Sequence, residues 1–592
     1  MMKKIFRAAG ALLVVLFLFV HGSYAQSADF KTGKNIDLLH NILREVAVFY
    51  VDTVHIGEWV EAGMVSMLEQ LDPYTEFIPE EENESIELMT TGSYGGVGAT
   101  IQKKPNGTVV FSEPYENYPA AKAGIVQGDE IVEIDGVPTM GLTVDQCSSA
   151  MKGKPGTEVR FVIRKVKTGD VINLVLKRER IHFSDIAWYG ILGDGIGYIR
   201  ISGFTQGGGN DLRRAFMELK QTGSLSKLIL DVRNNGGGLL EEAVNMLSMF
   251  LPRGTEVVSA KGRYAQQDVV YKTKEEPLDV HIPIVVLVNR GSASSSEILA
   301  GALQDLDRGV IVGTRTFGKG LVQSIRPLSY NAKLKITTAK YYIPSGRCVQ
   351  AIDYSHRNED GSVGVIPDSL IKEFRTKNGR SVFDGGGIAP DVKVETAGYS
   401  RIALELVARQ FIWDYTVHYL IGHDAIVPPE QFELTDSEYN DFITFVKRQG
   451  FEGQSATKMM LEQLLVTAKR ENYDSTVVQQ LRDLIVTAAG STSDELLRHK
   501  DEIKRILEEE ICCLYFYQKG RIRSSLRNDV QINKAIEILS DPQKFKKLLF
   551  PQPQSSSEAL LLQTIQTPVL LNPQGQIRNM SHSSKGISFS IA

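Results

Sequence analysis

The chain contains little cysteine, little tryptophan and little excess charge. Its 592 residues include four cysteines and three tryptophans, and its formal net charge at neutral pH is −5. The cysteines, at positions 147, 348, 512 and 513, form no convincing disulfide framework. Neither they nor the ten histidines have the spacing of metal ligands. We therefore expect no metal or other cofactor, and the slightly negative charge argues against bulk nucleic-acid binding.

Long apolar runs are also missing, except within the first 25 residues. There a basic start precedes an apolar run from Ala8 to Val20 and the small residues Ser23 and Ala25. This order is typical of a secretory signal peptide, and an uncleaved anchor is the alternative. We predict a signal peptide over residues 1–25 that is cleaved on export, which leaves the protein periplasmic or associated with the cell envelope.

The segment from Gly291 to Gly320 begins with a run of serines at the start of a helix. After SASSSE, the apolar residues of ILAGALQDL recur at helical spacing, which predicts a helix with one face toward a core. A serine at a helix start meets unpaired N–H groups and the positive end of the helix dipole, which can stabilise an oxyanion. Ser294 to Glu297 also spells Ser-x-x-Glu, so a simple capping box is the alternative.

Lys319 follows in a turn bounded by glycines. The run GVIVG (309–313) predicts a buried strand that returns the chain to the same sheet edge, so helix and strand bring Ser294 and Lys319 together. A lysine accepts a proton from serine only when its pKa is lowered by several units, which requires a dry pocket. Gln323 lies four residues further along the chain and could orient the Lys319 amine, and its neutral side chain would not favour the protonated form of that amine. A solvated surface lysine is the alternative.

These residues resemble a known family. SASSSEI, TFGKG and the separation of 25 residues between Ser294 and Lys319 are similar to the C-terminal processing peptidases, also called tail-specific proteases. The resemblance implies that Ser294 is the nucleophile, Lys319 the general base and Gln323 the residue that positions the lysine. It also implies a crotonase/ClpP-like βα spiral protease core within an α/β multidomain chain.

Four further segments extend the resemblance over about residues 35–395. They are LDPYTEF (71–77), KLILDVRNNGGGLL (227–240), ITTAKYYIPSGR (336–347) and GGGIAPD (385–391). Tyr74 and Thr75 depart from the family pattern in the first segment, and Gly236 replaces a proline in the second. Together the segments make the match highly specific.

The second of these segments also has a direct physical interpretation. It predicts a buried strand over 228–232, a glycine turn over 236–238 and a helix over 239–250. Glycines between a strand and a helix expose main-chain N–H groups. Gly237 or a neighbour could therefore form half of an oxyanion hole, with the N–H of Ser295 as the other half. No Gly-Lys-Ser/Thr follows, which disfavours a nucleotide P-loop.

A second module precedes the protease segments. AGIVQGDEIVEIDG (123–136) predicts a turn, a half-buried strand and a hairpin turn, and it resembles the signature of a PDZ domain. YGGVGATI (94–101) matches that fold's carboxylate-binding loop and edge strand. The predicted peptide-binding residues are Tyr94, Gly95, Gly96, Val97 and Gly98. A helix over 143–152 would wall the groove. Its candidate lining residues, for which core packing is the alternative, are Val144, Cys147 and Met151.

Helical regions flank these modules, with an apolar stripe that includes Leu38, Leu39 and Ile42 near the start. The predicted segments are a signal peptide (1–25), an N-terminal helical region (26–90), an inserted PDZ domain (91–180), the protease cap and core (181–395), a C-terminal helical region (396–550) and a mobile tail (551–592), which is rich in Ser, Gln and Pro. The C-terminal helices are predicted over 401–420, 436–448, 456–470, 475–489 and 493 to about 518. The helical regions leave open a homo-oligomer or an adaptor protein as partner.

The sequence therefore predicts a secreted serine endopeptidase. Its PDZ domain captures unstructured C-terminal tails of protein substrates, and Ser294 and Lys319 hydrolyse the peptide bond. Two other classes stay open at this point: a catalytically silent PDZ scaffold that binds tails, and a crotonase-like acyl-CoA enzyme. His281, just ahead of an apolar strand, is the candidate for a Ser/His pair in place of Ser/Lys.

Overall fold

A computed structural model of the chain describes residues 30–396, 398–453, 456–488, 492–550 and 590–591. The predicted signal peptide lies outside the described residues, as do positions 551–589 and 592 of the predicted tail. None of the described helices combines the length and apolar character that a membrane crossing requires. The chain divides into two compact units, one of 1–80 with 323–337 and the other of 81–322 with 338–592.

The elements fall into four consecutive groups. The N-terminal group is α1 (30–49), α2 (Ile56–Glu69), β1 (Glu76–Ile78) and α3 (Asn83–Thr91). The second group is β2 (Ser93–Gly96), β3 (Ala99–Lys103), β4 (Val109–Pro114), α4 (Pro119–Lys122), β5 (Glu130–Ile134), β6 (Val137–Pro138), α5 (Val144–Met151), β7 (Glu158–Arg164), β8 (Val171–Lys177) and β9 (Glu179–His182).

The third group is β10 (Ile186–Ile191), β11 (Ile196–Ile201), α6 (Gly208–Gln221), β12 (Lys227–Asp231), α7 (Leu240–Ser248), β13 (Glu256–Gly262), β14 (Val269–Lys272), β15 (Ile284–Val288), α8 (Ser295–Asp305), β16 (Val310–Gly313), β17 (Leu321–Pro327), β18 (Lys333–Tyr342), β19 (Ile352–Arg357), β20 (Val363–Val365), β21 (Glu373–Arg375), β22 (Ser381–Phe383) and β23 (Val392–Lys393). The fourth group is α9 (Arg401–Ala408), α10 (Phe411–Gly422), α11 (Asp436–Arg448), α12 (Ala456–Arg470), α13 (Ser475–Ala488), α14 (Thr492–Arg498), α15 (Lys500–Ser525), α16 (Val530–Ser540), α17 (Pro542–Leu549) and β24 (Ser590–Ile591).

The smaller unit contains α1, α2 and β1, and β1 pairs antiparallel with Lys333–Lys335 of β18. The LDPYTEF segment forms the turn before β1, because the carboxylate of Asp72 accepts the N–H groups of Tyr74 and Thr75 at 2.8 Å each. Leu38, Leu39 and Ile42, from the predicted apolar stripe of α1, are 48%, 50% and 59% exposed. This unit therefore presents apolar side chains on its helical surface.

The predicted PDZ domain is a sheet in the order β24-β3-β4-β5-β7-β8, covered by α4 and α5. Its core includes Phe111, Ile131 and Phe161, all at most 2% exposed. A capping box formed by Thr143 and Gln146 starts α5, which lies within the predicted helix over 143–152. β2 pairs antiparallel with β9, which brings the two ends of this segment together.

The protease core is a six-stranded sheet in the order β10-β11-β12-β15-β16-β23. Only β10 runs antiparallel to its neighbour, and the other neighbouring pairs are parallel. Alternate residues of β12 and β15 face opposite sides, as a strand's period of two dictates. Leu228 and Leu230 pack with α6, α7 and α8 on one face, whereas Ile229 packs with α16 and α17 on the other.

The packing of α16 and α17 modifies the predicted domain organisation. Both helices belong to the segment predicted as a separate C-terminal helical region, yet they cover one face of the core sheet. Parallel strands are buried on both faces, so the sheet needs this second layer. The rest of the region has its own core, formed by α9, α10, α11, α14 and α15.

The prediction of two continuous C-terminal helices is wrong, because each of them is interrupted in the structure. The predicted helix 401–420 is broken into α9 and α10, where Gln410 adopts a left-handed φ of +64°. The predicted helix from 493 is divided near His499 into α14 and α15, and Phe516 and Tyr517 interrupt α15 with non-helical backbone angles. The apolar period continues across both breaks because both sides contribute to one core, so periodicity alone does not reveal them.

The prediction of a mobile tail over 551–592 is wrong for two residues. Ser590 and Ile591 form β24, which pairs antiparallel with β3. The unpaired N–H and C=O groups of an edge strand provide a template for another strand, which is the physical reason for this pairing.

Candidate active site

Ser294 lies between the carboxyl end of β15 and the first residue of α8. Its backbone has φ +55° and ψ −116°, a combination that residues other than glycine rarely adopt. Such a conformation costs about 1–3 kcal/mol and persists only where surrounding contacts enforce it. Here the N–H of Ala293 donates to the carbonyl of Asn235 at 3.0 Å and the N–H of Ser294 donates to Glu297 at 2.9 Å.

The neighbouring serines are distinguished from Ser294 by their hydrogen bonds. Each is buried and donates its hydroxyl to a main-chain carbonyl. The three bonds are Ser292 to Val232 at 2.8 Å, Ser295 to Gly238 at 2.9 Å and Ser296 to Asn235 at 2.9 Å. Ser294 is the only one of the four serines that is partly exposed. The structure thus gives structural roles to three hydroxyls and leaves Ser294 accessible.

Glu297 connects the loop that contains Ser294, here called the serine loop, with the turn that contains Lys319, here called the lysine turn. Its Oε2 accepts the N–H of Ser294 at 2.9 Å and the N–H of Lys319 at 2.8 Å. Its Oε1 accepts the hydroxyl of Thr316 at 2.6 Å and the N–H of Gly318 at 2.8 Å. One carboxylate therefore holds the main chain of both predicted dyad residues.

The environment of Glu297 strongly affects its protonation. Burial raises the pKa of Glu297 to about 7, while the hydrogen bonds that it accepts act in the opposite direction. All four partners donate to the carboxylate, so the ionised form satisfies them. Protonation would make one oxygen of Glu297 a hydrogen-bond donor that faces groups which also donate. The connection between Ser294 and Lys319 would therefore loosen below neutral pH.

Tyr341 provides a second connection between the same two residues. Its hydroxyl lies 2.6 Å from the carbonyl oxygen of Lys319 and 3.2 Å from that of Ser294, and the side chain is 1% exposed. Glu297 thus binds the N–H groups of Ser294 and Lys319, and Tyr341 binds their carbonyls. The sequence predicted only a capping role for Glu297 and no role for Tyr341. The Ser-x-x-Glu spacing was the available signal for Glu297, and its second set of partners could not be read from it.

The glycine turn after β12 lies against the serine loop. Gly237 has φ +102°, and a Cβ there would come within 2.8 Å of both Ala293 O and Ser294 Cβ. Only glycine fits this close approach. The N–H of Gly237 donates to Asn235 Oδ1 at 2.9 Å. The N–H of Ser295, in contrast, donates to no other residue in the part of the chain that the structure describes.

A buried charge cluster lies directly before the glycine turn. Asp231 accepts hydrogen bonds from Tyr198 at 2.7 Å, from Arg200 at 2.8 Å and from Arg233. Burial raises the pKa of Asp231, but the guanidinium groups of Arg233 and Arg200 outweigh it and hold the pKa well below its usual range. This cluster fixes the end of β12, from which the turn begins.

Lys319 is half-buried in the turn between β16 and β17. The flanking glycines pack closely: a Cβ on Gly318 would meet Ala351 Cβ at 2.4 Å, and Gly320 donates its N–H to Gln350 at 2.7 Å. Gln323 belongs to the smaller unit, where its side-chain amide donates to the hydroxyl of Thr337 at 3.1 Å.

His281 does not join Ser294. The histidine is exposed ahead of the first residue of β15, whereas Ser294 follows the last. The five residues of β15 extend about 16 Å between them. The Ser/His alternative therefore lacks the required proximity.

The predicted peptide-binding loop is shorter than the sequence indicated. Tyr94, Gly95 and Gly96 lie in β2 and pair with β9, so they are part of a strand. Only Val97 and Gly98 form the turn that leads into β3, with Gly98 at φ +76°. Of the candidate lining residues of α5, Cys147 and Met151 are fully buried in the core, and Val144 is half-buried.

Within the described ranges, no group of three or more His, Cys, Asp or Glu side chains could hold a metal ion. The four cysteines are free, and Cys147, Cys512 and Cys513 are buried.

Comparison with known proteins gives three matches along the chain. Residues 195–370 match peptidase family S41, residues 110–165 match a PDZ domain, and residues 402–539 match the C-terminal helical domain of a probable PDZ-protease. These matches confirm the predicted α/β multidomain fold and define a PDZ-containing protease.

Curated relatives agree with these matches. A carboxy-terminal-processing protease of Bartonella bacilliformis is 34% identical over 374 residues, which cover 63% of this chain and 83% of that protein. A carboxyl-terminal-processing protease of Picosynechococcus is 31% identical over 401 residues, covering 63% of this chain and 91% of that protein. Among solved structures, the photosystem II D1 C-terminal processing protease is 28% identical with a TM-score of 0.33, covering 60% of this chain and 92% of that one. The chain belongs to the carboxy-terminal-processing proteases of peptidase family S41.

Proposed function

We propose that this protease is a serine endopeptidase that uses Ser294 and Lys319 as its catalytic pair. The observation that carries the proposal is the double connection of their main chains through Glu297 and Tyr341. Such a connection fixes the relative position of two residues that the sequence separates, which is what a nucleophile and its base require. The accessibility of Ser294 relative to its neighbouring serines supports the same choice.

In the proposed reaction, Ser294 Oγ attacks the carbonyl carbon of the scissile peptide while Lys319 Nζ takes the hydroxyl proton. The tetrahedral intermediate collapses, the C–N bond breaks, and the proton passes from Lys319 to the leaving amine. Water then attacks the acyl-enzyme and gives one proton to Lys319. The second tetrahedral intermediate then collapses, the bond between the acyl carbon and Ser294 Oγ breaks, and Lys319 returns its proton to Ser294 Oγ as the new carboxyl group leaves.

Three further residues complete the proposed site. The N–H of Ser295, at the start of α8, is oriented by the helix and receives the oxyanion. The second donor is the N–H of Gly237, which must exchange its bond to Asn235 for the oxyanion. Gln323 orients the lysine, a role that rests on the family resemblance and its spacing from Lys319.

The proposed substrates are exported proteins with unstructured C-terminal tails, which the PDZ domain captures by adding them as a strand. The turn at Val97 and Gly98, ahead of β3, supplies the carboxylate site. We further propose that the signal peptide directs export to the periplasm or cell envelope. The exposed apolar residues of α1 support pairing with a second copy, or with an adaptor protein.

The test compares cleavage of a model protein with and without an apolar tail. Ser294→Ala and Lys319→Ala should abolish cleavage, because each removes a group that forms or breaks bonds. Ser296→Ala is the matched control, since it removes a buried hydroxyl that donates only to Asn235. It should keep about a tenth or more of the activity. Full activity of Ser294→Ala would refute the proposal, whereas a wild-type chain that binds the tail and leaves it uncut would favour a silent scaffold. Binding of acyl-CoA would favour a crotonase-like enzyme.

A further inference from the structure

The PDZ domain holds a segment of its own chain on the edge of its sheet. Ser590 and Ile591 form β24, with Ser590 opposite Ile101 and Ile591 opposite Thr100 of β3. β3 pairs with β4 along its other edge, so β24 takes the edge that would otherwise be unpaired. Main-chain pairing of this kind depends little on side chains and suits an extended, uncharged segment.

The position of β24 coincides with the predicted peptide groove. The strand contacts α5 as well as β3, so it lies between the edge strand and the helix that walls the groove. Its register carries it in the direction of the Val97–Gly98 turn. The carbonyls of Val97 and Gly98 accept the N–H groups of Ala120 and Tyr115. Their own N–H groups have no main-chain acceptor within the described part of the chain.

We propose that the segment Ser590–Ile591 is an internal ligand of the PDZ groove and competes there with substrate tails. The inference rests on the proposed function, because it takes the groove to be the site of tail capture. Substrate and internal segment need the same edge of β3, so only one of them binds at a time. The internal segment therefore sets the tail concentration at which the protease begins to work.

The expected size of the effect follows from the tether. A segment on the same chain acts at an effective concentration of about 1 mM. If the groove binds it with a Kd of about 0.1 mM, about one groove in ten is open. The apparent KM for a tailed substrate is then raised about tenfold, and kcat is unchanged.

Binding is measured first, on full chains that carry Ser294→Ala so that no cleavage occurs. The probe is a fluorescent peptide, SSKGISFSIA, with the sequence of residues 583–592. We expect it to bind about tenfold more tightly to a chain shortened to end at residue 587 than to the full-length chain. Equal affinity for the two chains, or binding to neither, would overturn the inference.

Kinetics on catalytically intact chains give the second test. In an antiparallel pair only every second residue exchanges both hydrogen bonds, so positions 590 and 591 are changed together. Ser590→Pro with Ile591→Pro removes both N–H donors and should lower the KM about tenfold at constant kcat. Ser590→Thr with Ile591→Val keeps both donors and should leave the KM at the wild-type value.

Three outcomes separate the possible failures. An unchanged KM in the double-proline chain, with cleavage still lost in Ser294→Ala, would overturn the internal ligand and leave the proposed function standing. Cleavage by Ser294→Ala would overturn the proposed function whatever the peptide binds. A KM effect that disappears when the enzyme is diluted would show that the segment comes from a second copy, which contradicts an internal ligand.

Discussion

Replacing Glu297 by glutamine tests the connection between Ser294 and Lys319 with little change in shape. The carboxylate accepts four hydrogen bonds, one each from Ser294, Lys319, Thr316 and Gly318. A glutamine keeps only one accepting oxygen, and its amide nitrogen faces donors in either orientation. The hydroxyl of Thr316 can rotate to accept a bond, but at least one main-chain N–H then loses its acceptor.

The expected loss follows from these bonds. A hydrogen bond to a charged group contributes about 1.5–3 kcal/mol. If the loss of these bonds raises the activation free energy by about 2 kcal/mol, kcat falls about 30-fold. The PDZ groove is unaffected, so the KM for a tailed substrate should stay within about twofold of the wild-type value.

The pH dependence supplies an independent measurement on the same variant. The pKa of Glu297 is raised to about 7, so the connection weakens as the pH falls through 7 and wild-type kcat should decline there. Stability has the opposite sign: a raised carboxyl pKa favours the folded state most below the unfolded value and costs stability as the pH rises toward 7. The free energy of unfolding of the wild type relative to Glu297→Gln should fall by about 3 kcal/mol between pH 4 and 8.

Glu242→Gln is the matched control. Glu242 is also a buried carboxylate that accepts two main-chain N–H groups, those of Gly207 at 3.1 Å and Gly209 at 2.8 Å. Glu242→Gln should cost stability, because one of these N–H groups loses its acceptor, and should keep kcat within about threefold. If both variants lose the same fraction of kcat, or if Glu297→Gln loses none, the account of the connection is refuted.

Three further predictions follow from the site. Tyr341→Phe removes the hydroxyl that bridges two carbonyls and should lower kcat about tenfold in steady-state assays; an unchanged kcat would contradict the bridge. Gly237→Ala should cost about 2 kcal/mol or more in urea unfolding. Gly156→Ala, which has a similar φ and would bring its Cβ only within 4.0 Å of Lys177 Cε, should cost less; equal losses would exclude the contact with the serine loop. Asp231→Asn should destabilise the fold by about 3–5 kcal/mol at pH 7. This difference should shrink as the pH falls below about 4, because the lowered pKa of Asp231 contributes stability only above its value in the unfolded chain. A difference that does not change with pH would contradict this role of Asp231.

The sequence predicted the parts of the site that depend on local pattern. The apolar period of ILAGALQDL predicted α8 and the run GVIVG predicted β16. The PDZ domain was predicted from the resemblance of residues 123–136 to that domain's signature. Each of these signals is local in the sequence. The choice of Ser294 over its neighbours came from the family motif, and its partial exposure gives a physical reason for that choice.

The contacts that connect distant segments could not be predicted. From the sequence Glu297 can be interpreted only as a helix cap, because the spacing to Ser294 is local. Two of its four partners, Gly318 and Lys319, are more than twenty residues away and leave no local pattern. Tyr341 reaches the carbonyls of two separate loops, which no spacing within its own strand encodes. The positions of α16 and α17 on the core sheet, and of β24 on β3, depend equally on long-range packing.

The most direct test of the catalytic pair is covalent labelling with a serine-reactive phosphonate probe, mapped by peptide mass spectrometry in the presence of saturating tailed peptide. The account predicts a single labelled peptide with the adduct on Ser294, no label in Ser294→Ala and strongly reduced label in Lys319→Ala. An adduct on Ser292, Ser295 or Ser296, or labelling that is undiminished in Ser294→Ala, would contradict it.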